Sequence, residues 1–197
     1  MKADGLILAG GASRRMGGNH KGNLMFQGQT FQEHIISELK KKAETIWISY
    51  GKDKKCEDAD CRVVMDIYQD CGPIGGIHAG LSSCEQEFAM VASCDLPYLK
   101  IEIYEWLYNQ LLKTEAEQGI RYEGIVAMNG ERIHPLTAVY RKTAAEVALK
   151  QLKMQNYRLR DLVADPCFLK VQVPDEMAFM LTNVNTIEEY NRIQKNI

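Results

Sequence analysis

Short apolar runs alternate with amphipathic stretches through the first half of the chain. Residues 5–9 form a brief apolar run closed by glycine, the pattern of a strand buried on both faces. Over residues 31–42 the apolar positions Phe31, Ile35, Ile36 and Leu39 recur at helical spacing. Lys40, Lys41 and Lys42 close that stretch, where the negative end of a helix dipole favours cations. Residues 45–50 and 62–65 read as further strands, 74–83 as a helix after a Gly-Pro turn, 88–92 as an apolar strand, and 101–112 as an amphipathic helix. This rhythm predicts an α/β fold with a mostly parallel sheet and helices on both faces. In the second half, residues 124–128 and 136–140 read as two strands joined through a turn at Asn129-Gly130. A helix over 143–154, a strand in "FLKVQVP" and a closing helix over 186–195 capped by Thr186 complete the reading. No repeat, low-complexity tract or linker interrupts it, so one domain over residues 1–197 is expected.

Composition narrows the function classes. Hydrophobic residues make up 46% and charged ones 25%, which is globular rather than disordered. The net charge of -2 exerts no overall pull on nucleic acid, so any bound anion must be held by a local cluster. No apolar run approaches the ~20 residues of a membrane helix. Asp4 interrupts the first residues, which do not read as an export signal. A cytoplasmic protein with neither nucleic acid nor membrane as partner is expected. The cysteines contain no C-x-x-C pair, so they read as reduced, mostly packing thiols rather than a zinc site.

The local cluster is "LILAGGASRRMGGNHKG", residues 6–22. Glycines after a strand let backbone N–H groups approach an anion, and Arg14, Arg15 and Lys21 add charges that pair with phosphate oxygens. Lys21 is followed by glycine rather than Ser or Thr, so this is no Walker A loop, and G-x-G-x-x-G is absent. A surface loop with solvated charges is the competing reading. Two further carboxylates end apolar runs: Asp95 in "VASCDLPYL" and Asp66 in "VVMD". Ligands bind parallel sheets at that edge, and a hard carboxylate there suits Mg²⁺ that keeps waters and bridges phosphates. Alternatively, Asp95 caps a turn or the following helix, and Asp66 is a solvated strand end. A carboxylate at Asp66 could also accept the adjacent N1–H and N2 amino group of guanine.

The motif Leu8-Ala9-Gly10-Gly11, Arg15-Met16-Gly17-Gly18, Lys21-Gly22 resembles the opening loop of the MobA family of molybdenum cofactor guanylyltransferases. The sequence departs from that pattern at His20, where the family has Asp. Further resemblance lies in "CDLP" at 94–97, Gly72-Pro73 with Gly75-Gly76, "RIHP" at 132–135 and "NVNTIEEY" at 183–190. It implies a three-layer, Rossmann-like fold of the nucleotidyltransferase type. The implied reaction moves GMP from GTP to the terminal phosphate of molybdenum-molybdopterin. It further implies Asp95 for the metal, Lys21 and Arg15 for the phosphates, and Leu8, Ala9, Gly10, Gly11, Ser49 and Asp66 for the nucleotide. Gly18, Gly72, Gly76, Arg158, Asn183 and Asn185 fall on the molybdopterin side. Partner proteins of the cofactor pathway and acceptor molybdoenzymes are implied as well. His134, His34 and His78 read as structural or packing residues. A CTP- or sugar-phosphate-using relative and a non-catalytic GTP-binding adaptor stay open as alternatives.

Overall fold

The computed structural model describes residues 1–10, 21–50 and 60–195. Seven strands form one sheet in the order β5-β4-β1-β6-β8-β7-β9. These are β1 (Ala3–Leu8), β4 (Ala43–Ser49), β5 (Cys61–Val64), β6 (Phe88–Ser93), β7 (Gly124–Asn129), β8 (Arg132–Arg141) and β9 (Phe168–Gln172). Only β8 runs against the other six. A small hairpin of β2 (Met25–Phe26) and β3 (Gln29–Thr30) stands apart from the sheet.

Alternation along the buried strands sends successive side chains to opposite faces and builds two cores. Ile7, Met90, Ala92 and Ile125 pack with α1 (Phe31–Lys40) and α3 (Glu102–Gln118). Leu6, Leu8, Val91 and Val126 pack with α2 (Pro73–Ser83), α4 (Ala144–Lys153) and the short α5 (Leu159–Leu162). The expected layering of helices on both faces is therefore present. A third cluster seats α6 (Ile187–Lys195) on the hairpin through Phe26, Phe31, Val184 and Ile193. Tyr190 Oη donates to the Met25 carbonyl at 2.8 Å.

Predicted element bounds shift mostly by one to three residues, and two differences matter. Helix α3 runs on to Gln118 and stops at Gly119, which takes the left-handed conformation at φ 66°; charged residues beyond Leu112 mask its continuation. The second strand of the Asn129-Gly130 hairpin begins at Arg132, not residue 136. Pro135 reads as a strand breaker because it lacks an N–H. Here it sits in a bulge: Val126 pairs with Ala138 but Ala127 pairs with His134. The Tyr140 hydroxyl donates to the Pro135 carbonyl at 2.8 Å. The hairpin β2–β3 and helix α5 are too short to carry a periodicity, and no strand or helix was expected there. Thr186 caps α6 as expected: Glu189 N–H donates to its Oγ1 at 3.1 Å while the Glu189 carboxylate accepts from Thr186 N–H.

Cys61, Cys71, Cys84, Cys94 and Cys167 are thiols without disulfides, as expected, and Cys56 lies outside the described residues. Burial pushes the Cys84 thiol up to about 12, with the Asp4 carboxylate adding to it. At the opposite edge of the sheet from the site, Asp4 is buried and its Oδ2 accepts from Glu85 N–H at 2.7 Å and Gln86 N–H at 3.2 Å. It thereby fixes the turn between α2 and β6.

Candidate active site

The carboxyl ends of β5, β4, β1 and β6 lie side by side, and the candidate residues line up along them. Leu8 pairs with Ser49 on one side and Ser93 on the other, and Ser49 pairs with Val64. Two residues beyond that row, just past the strand ends, come Asp66, Gly10 and Asp95. Ala9 and Gly10 N–H both donate to the Ser49 carbonyl, at 2.8 and 3.0 Å, so the start of the glycine loop is tied to β4. The turn Lys21–Asn23 rests on the same edge: a methyl group on Gly22 would come within 3.6 Å of Cys94 Cβ. Gly11, Arg14, Arg15, Gly18 and His20 lie outside the described residues.

Asp66 and Ser49 form a pair. The Ser49 hydroxyl, 3% exposed, donates to Asp66 Oδ1 at 2.8 Å. The first turn of α2 presses on them. A methyl group on Gly76 would stand 2.8 Å from Ser49 Oγ, and one on Gly75 would stand 3.3 Å from Asp66 Oδ2. Only hydrogen at those two positions lets α2 approach so near. Gly72 begins this helix with φ 65°. Cys71, just before this turn, donates its thiol to the Gln69 carbonyl at 3.3 Å, and Arg158 is exposed.

Asp95 is held from three directions. Its Oδ1 accepts from Ser93 Oγ at 2.5 Å and from Asn183 Nδ2 at 3.0 Å, and its backbone carbonyl accepts from Val184 N–H at 2.9 Å. It does not cap α3, whose N-cap is Ile101 without a side-chain bond. Asn183 is in turn bonded by Arg132, whose Nη2 donates to Asn183 Oδ1 at 3.0 Å. The motifs at 94–97, 132–135 and 183–190 thus converge, although nearly ninety residues separate Asp95 from Asn183. The Asn185 backbone N–H donates to Glu189 Oε2 at 2.6 Å in the turn before α6.

Sequence reasoning left Arg132 unassigned and placed His134 among structural residues. The one available signal was their spacing of two, which puts both on one face once β8 is known to start at Arg132. His134 is 7% exposed and its Nε2 has no hydrogen-bond partner among the described residues. Burial lowers its pKa to about 4, with Arg132 adding to the effect and Asp95 opposing it. The neutral ring favours the fold above about pH 6.5, and that contribution is lost as pH falls from 6.5 towards 4. The loss reaches about 3 kcal/mol at most. In pH-dependent chemical denaturation, His134→Gln is expected to flatten the acid limb over that interval; an unchanged slope would assign the limb to other groups. His34 and His78 do serve packing: His34 Nε2 bonds the Leu99 carbonyl at 2.8 Å, and the His78 ring meets Tyr68 edge-on at 5.4 Å.

A magnesium ion fits this donor set. Among the described residues no group of three His, Cys, Asp or Glu side chains is arranged as a metal cage. Mg²⁺ does not require one, because it retains waters and takes its remaining ligands from substrate phosphates. One oriented strand-end carboxylate is what such a site needs from the protein.

The MobA-like NTP transferase domain matches residues 5–171. The chain belongs to that family. This family member is 30% identical to a Clostridium perfringens protein named "Probable molybdenum cofactor guanylyltransferase", over 99% of this chain and 98% of that one. It is 29% identical to a Desulfosudis oleivorans molybdenum cofactor guanylyltransferase, over 96% and 93% of the two chains. Its fold matches the crystal structure of molybdopterin-guanine dinucleotide biosynthesis protein A from Archaeoglobus fulgidus with a TM-score of 0.79, covering 98% and 97% at 21% identity. The MobA-like chain is a transferase of nucleotidyl groups, built on the α/β sheet that its hydrophobic pattern announces. No helix among its described residues is long and apolar enough to cross a membrane.

Proposed function

We propose that this enzyme transfers GMP from GTP to the terminal phosphate of molybdenum-loaded molybdopterin, forming the guanine dinucleotide cofactor and releasing pyrophosphate. The observation that carries the reading is the convergence of the glycine-loop strand end, the Ser49–Asp66 pair and the clamped Asp95 on one sheet edge. Three inter-strand steps separate β5 from β6, roughly 14 Å at ~4.8 Å each. A nucleotide laid across β4 and β1 brings its base to Asp66 and its phosphates to Asp95. The Asp66 carboxylate offers acceptors for the paired N–H groups of guanine, with Ser49 fixing its orientation.

Asp95 holds Mg²⁺, which when bound neutralises charge on the triphosphate. The backbone from Leu8 to Gly11, together with Lys21 and Arg15, supplies positive potential around the same phosphates. The resemblance assigns Gly18, Gly72, Gly76, Arg158, Asn183 and Asn185 to molybdopterin; of these Asn183 stands against Asp95, whereas Gly72 and Gly76 belong to the first turn of α2 beside Ser49 and Asp66. The acceptor's phosphate oxygen is ionised at neutral pH, so no general base is required. Its lone pair forms the new bond to the α-phosphorus. The bond from that phosphorus to the pyrophosphate oxygen breaks, and its electron pair departs with pyrophosphate. The protein's contribution is alignment and charge stabilisation. The reading also assigns the enzyme to the cytoplasm, where pathway proteins deliver molybdopterin and molybdoenzymes collect the product.

Pyrophosphate release tests this directly. Mg²⁺ and GTP should yield pyrophosphate only when molybdopterin is added, and CTP, ATP and UTP should not substitute. Preference for CTP would make the chain a cytidylyltransferase. GTP binding without any release would make it an adaptor.

A further inference from the structure

Asp95, at the end of β6, divides the sheet edge in two. On one side lie β1, β4 and β5 with Gly10, Ser49 and Asp66; on the other lie the start of β8 and the turn at 183–185. If the first half takes the nucleotide, the attacking phosphate must reach the α-phosphorus from the second. That second half contains one cation from β8. Arg132 is exposed, and among the described residues its guanidinium donates to the neutral amide oxygen of Asn183 at 3.0 Å. No carboxylate ion-pairs with it among the described residues, in contrast to Arg141, which is buried against Glu87 and Glu115. Its charge is therefore aimed by Asn183 without being neutralised. His134, two residues along the same strand face, is more than nine-tenths buried with Nε2 unpartnered. An exposed guanidinium oriented by a neutral amide is suited to an oxyanion, and the buried His134 ring lies beneath it on the same strand.

We propose that Arg132, aimed by Asn183, binds the phosphate monoester of the acceptor. The planar fork engages two non-reacting oxygens and leaves the third to attack. The assignment rests on the guanylyl-transfer reading and names the residue that orients its second substrate. Asn183 then acts on both sides of the reaction: its amide N–H braces Asp95 while its oxygen orients Arg132.

The test pairs calorimetric titration of Mg·GTP with pyrophosphate release at varied molybdopterin. Arg132→Gln should raise the KM for molybdopterin ~10- to 100-fold, the scale of a lost charge-assisted contact, and leave the Mg·GTP Kd unchanged. Arg132→Lys, which keeps the charge but not the fork, should recover part of the loss. Inorganic phosphate should compete with molybdopterin on the wild type and lose that effect on Arg132→Gln. A merely structural arginine, acting through Asn183 on Asp95, would instead weaken Mg·GTP binding. That result, or an unchanged molybdopterin KM, overturns the proposal. If the wild type binds Mg·GTP but molybdopterin elicits no pyrophosphate, the guanylyl-transfer reading itself fails and this assignment falls with it.

Discussion

Asp95→Ala is expected to abolish guanylyl transfer, by at least ~10³-fold, with the fold intact. The variant removes the carboxylate proposed to hold the metal, and an electrostatic stabiliser of comparable kind is worth ~10²–10³ on its own. Structure should survive because Asp95 is not the cap of α3 and its backbone carbonyl keeps the bond from Val184 N–H at 2.9 Å. Ser93 Oγ and Asn183 Nδ2 lose an acceptor, at a cost of about 1–3 kcal/mol. Circular dichroism and thermal unfolding measure that part, and pyrophosphate release measures the other. Asp95→Asn separates shape from charge: it should retain the hydrogen bonds and still be inactive. Transfer at the wild-type rate by either variant would remove Asp95 from the chemistry.

Gly80→Val should be the most destabilising of the single changes considered, at about 3 kcal/mol or more. A Cβ at Gly80 would stand 2.3 and 2.4 Å from the two methyls of Leu6 and 2.9 Å from its Cγ. Leu6 is fully buried in β1, so it has nowhere to retreat. Overpacking of this kind usually costs 1–3 kcal/mol, and a β-branched side chain on a helix adjoining a sheet falls at the upper end. For a chain of this length the melting temperature should drop by about 6–12 °C. The residual activity of any folded fraction should also fall, since α2 carries Gly76 against Ser49 at the site. A melting temperature within a degree or two of wild type would mean that α2 lifts from the sheet without penalty.

These two positions show different kinds of legibility. Asp95 is conspicuous as a carboxylate closing an apolar run, a pattern that by itself suits either a cap or a metal ligand, and the resemblance at 94–97 is what points to the metal. Gly80 is not, since the sequence shows a small residue in a helix but not the leucine beneath it. The same holds for Asn183. Its segment is conspicuous by resemblance, yet the amide's bonds to Asp95 and Arg132 depend on a chain reversal that local pattern does not encode. Arg132 was obscured by Pro135, which looks like the end of a strand and proves to be a bulge within one.

The sequence by itself determined the βαβ alternation, the two-faced sheet and the chemical kinds of residue placed at its edge. Those follow from periodicity, glycine and charge, which act over a few residues and are therefore written locally. Tertiary structure decided which of these residues meet. Strand order set Asp66 and Asp95 on either side of the strand that leads into the glycine loop, and the antiparallel β8 brought Arg132 to Asn183 beside Asp95. Such pairings come from long-range burial and register, where each contact is chosen by the whole core rather than by its neighbours in the chain.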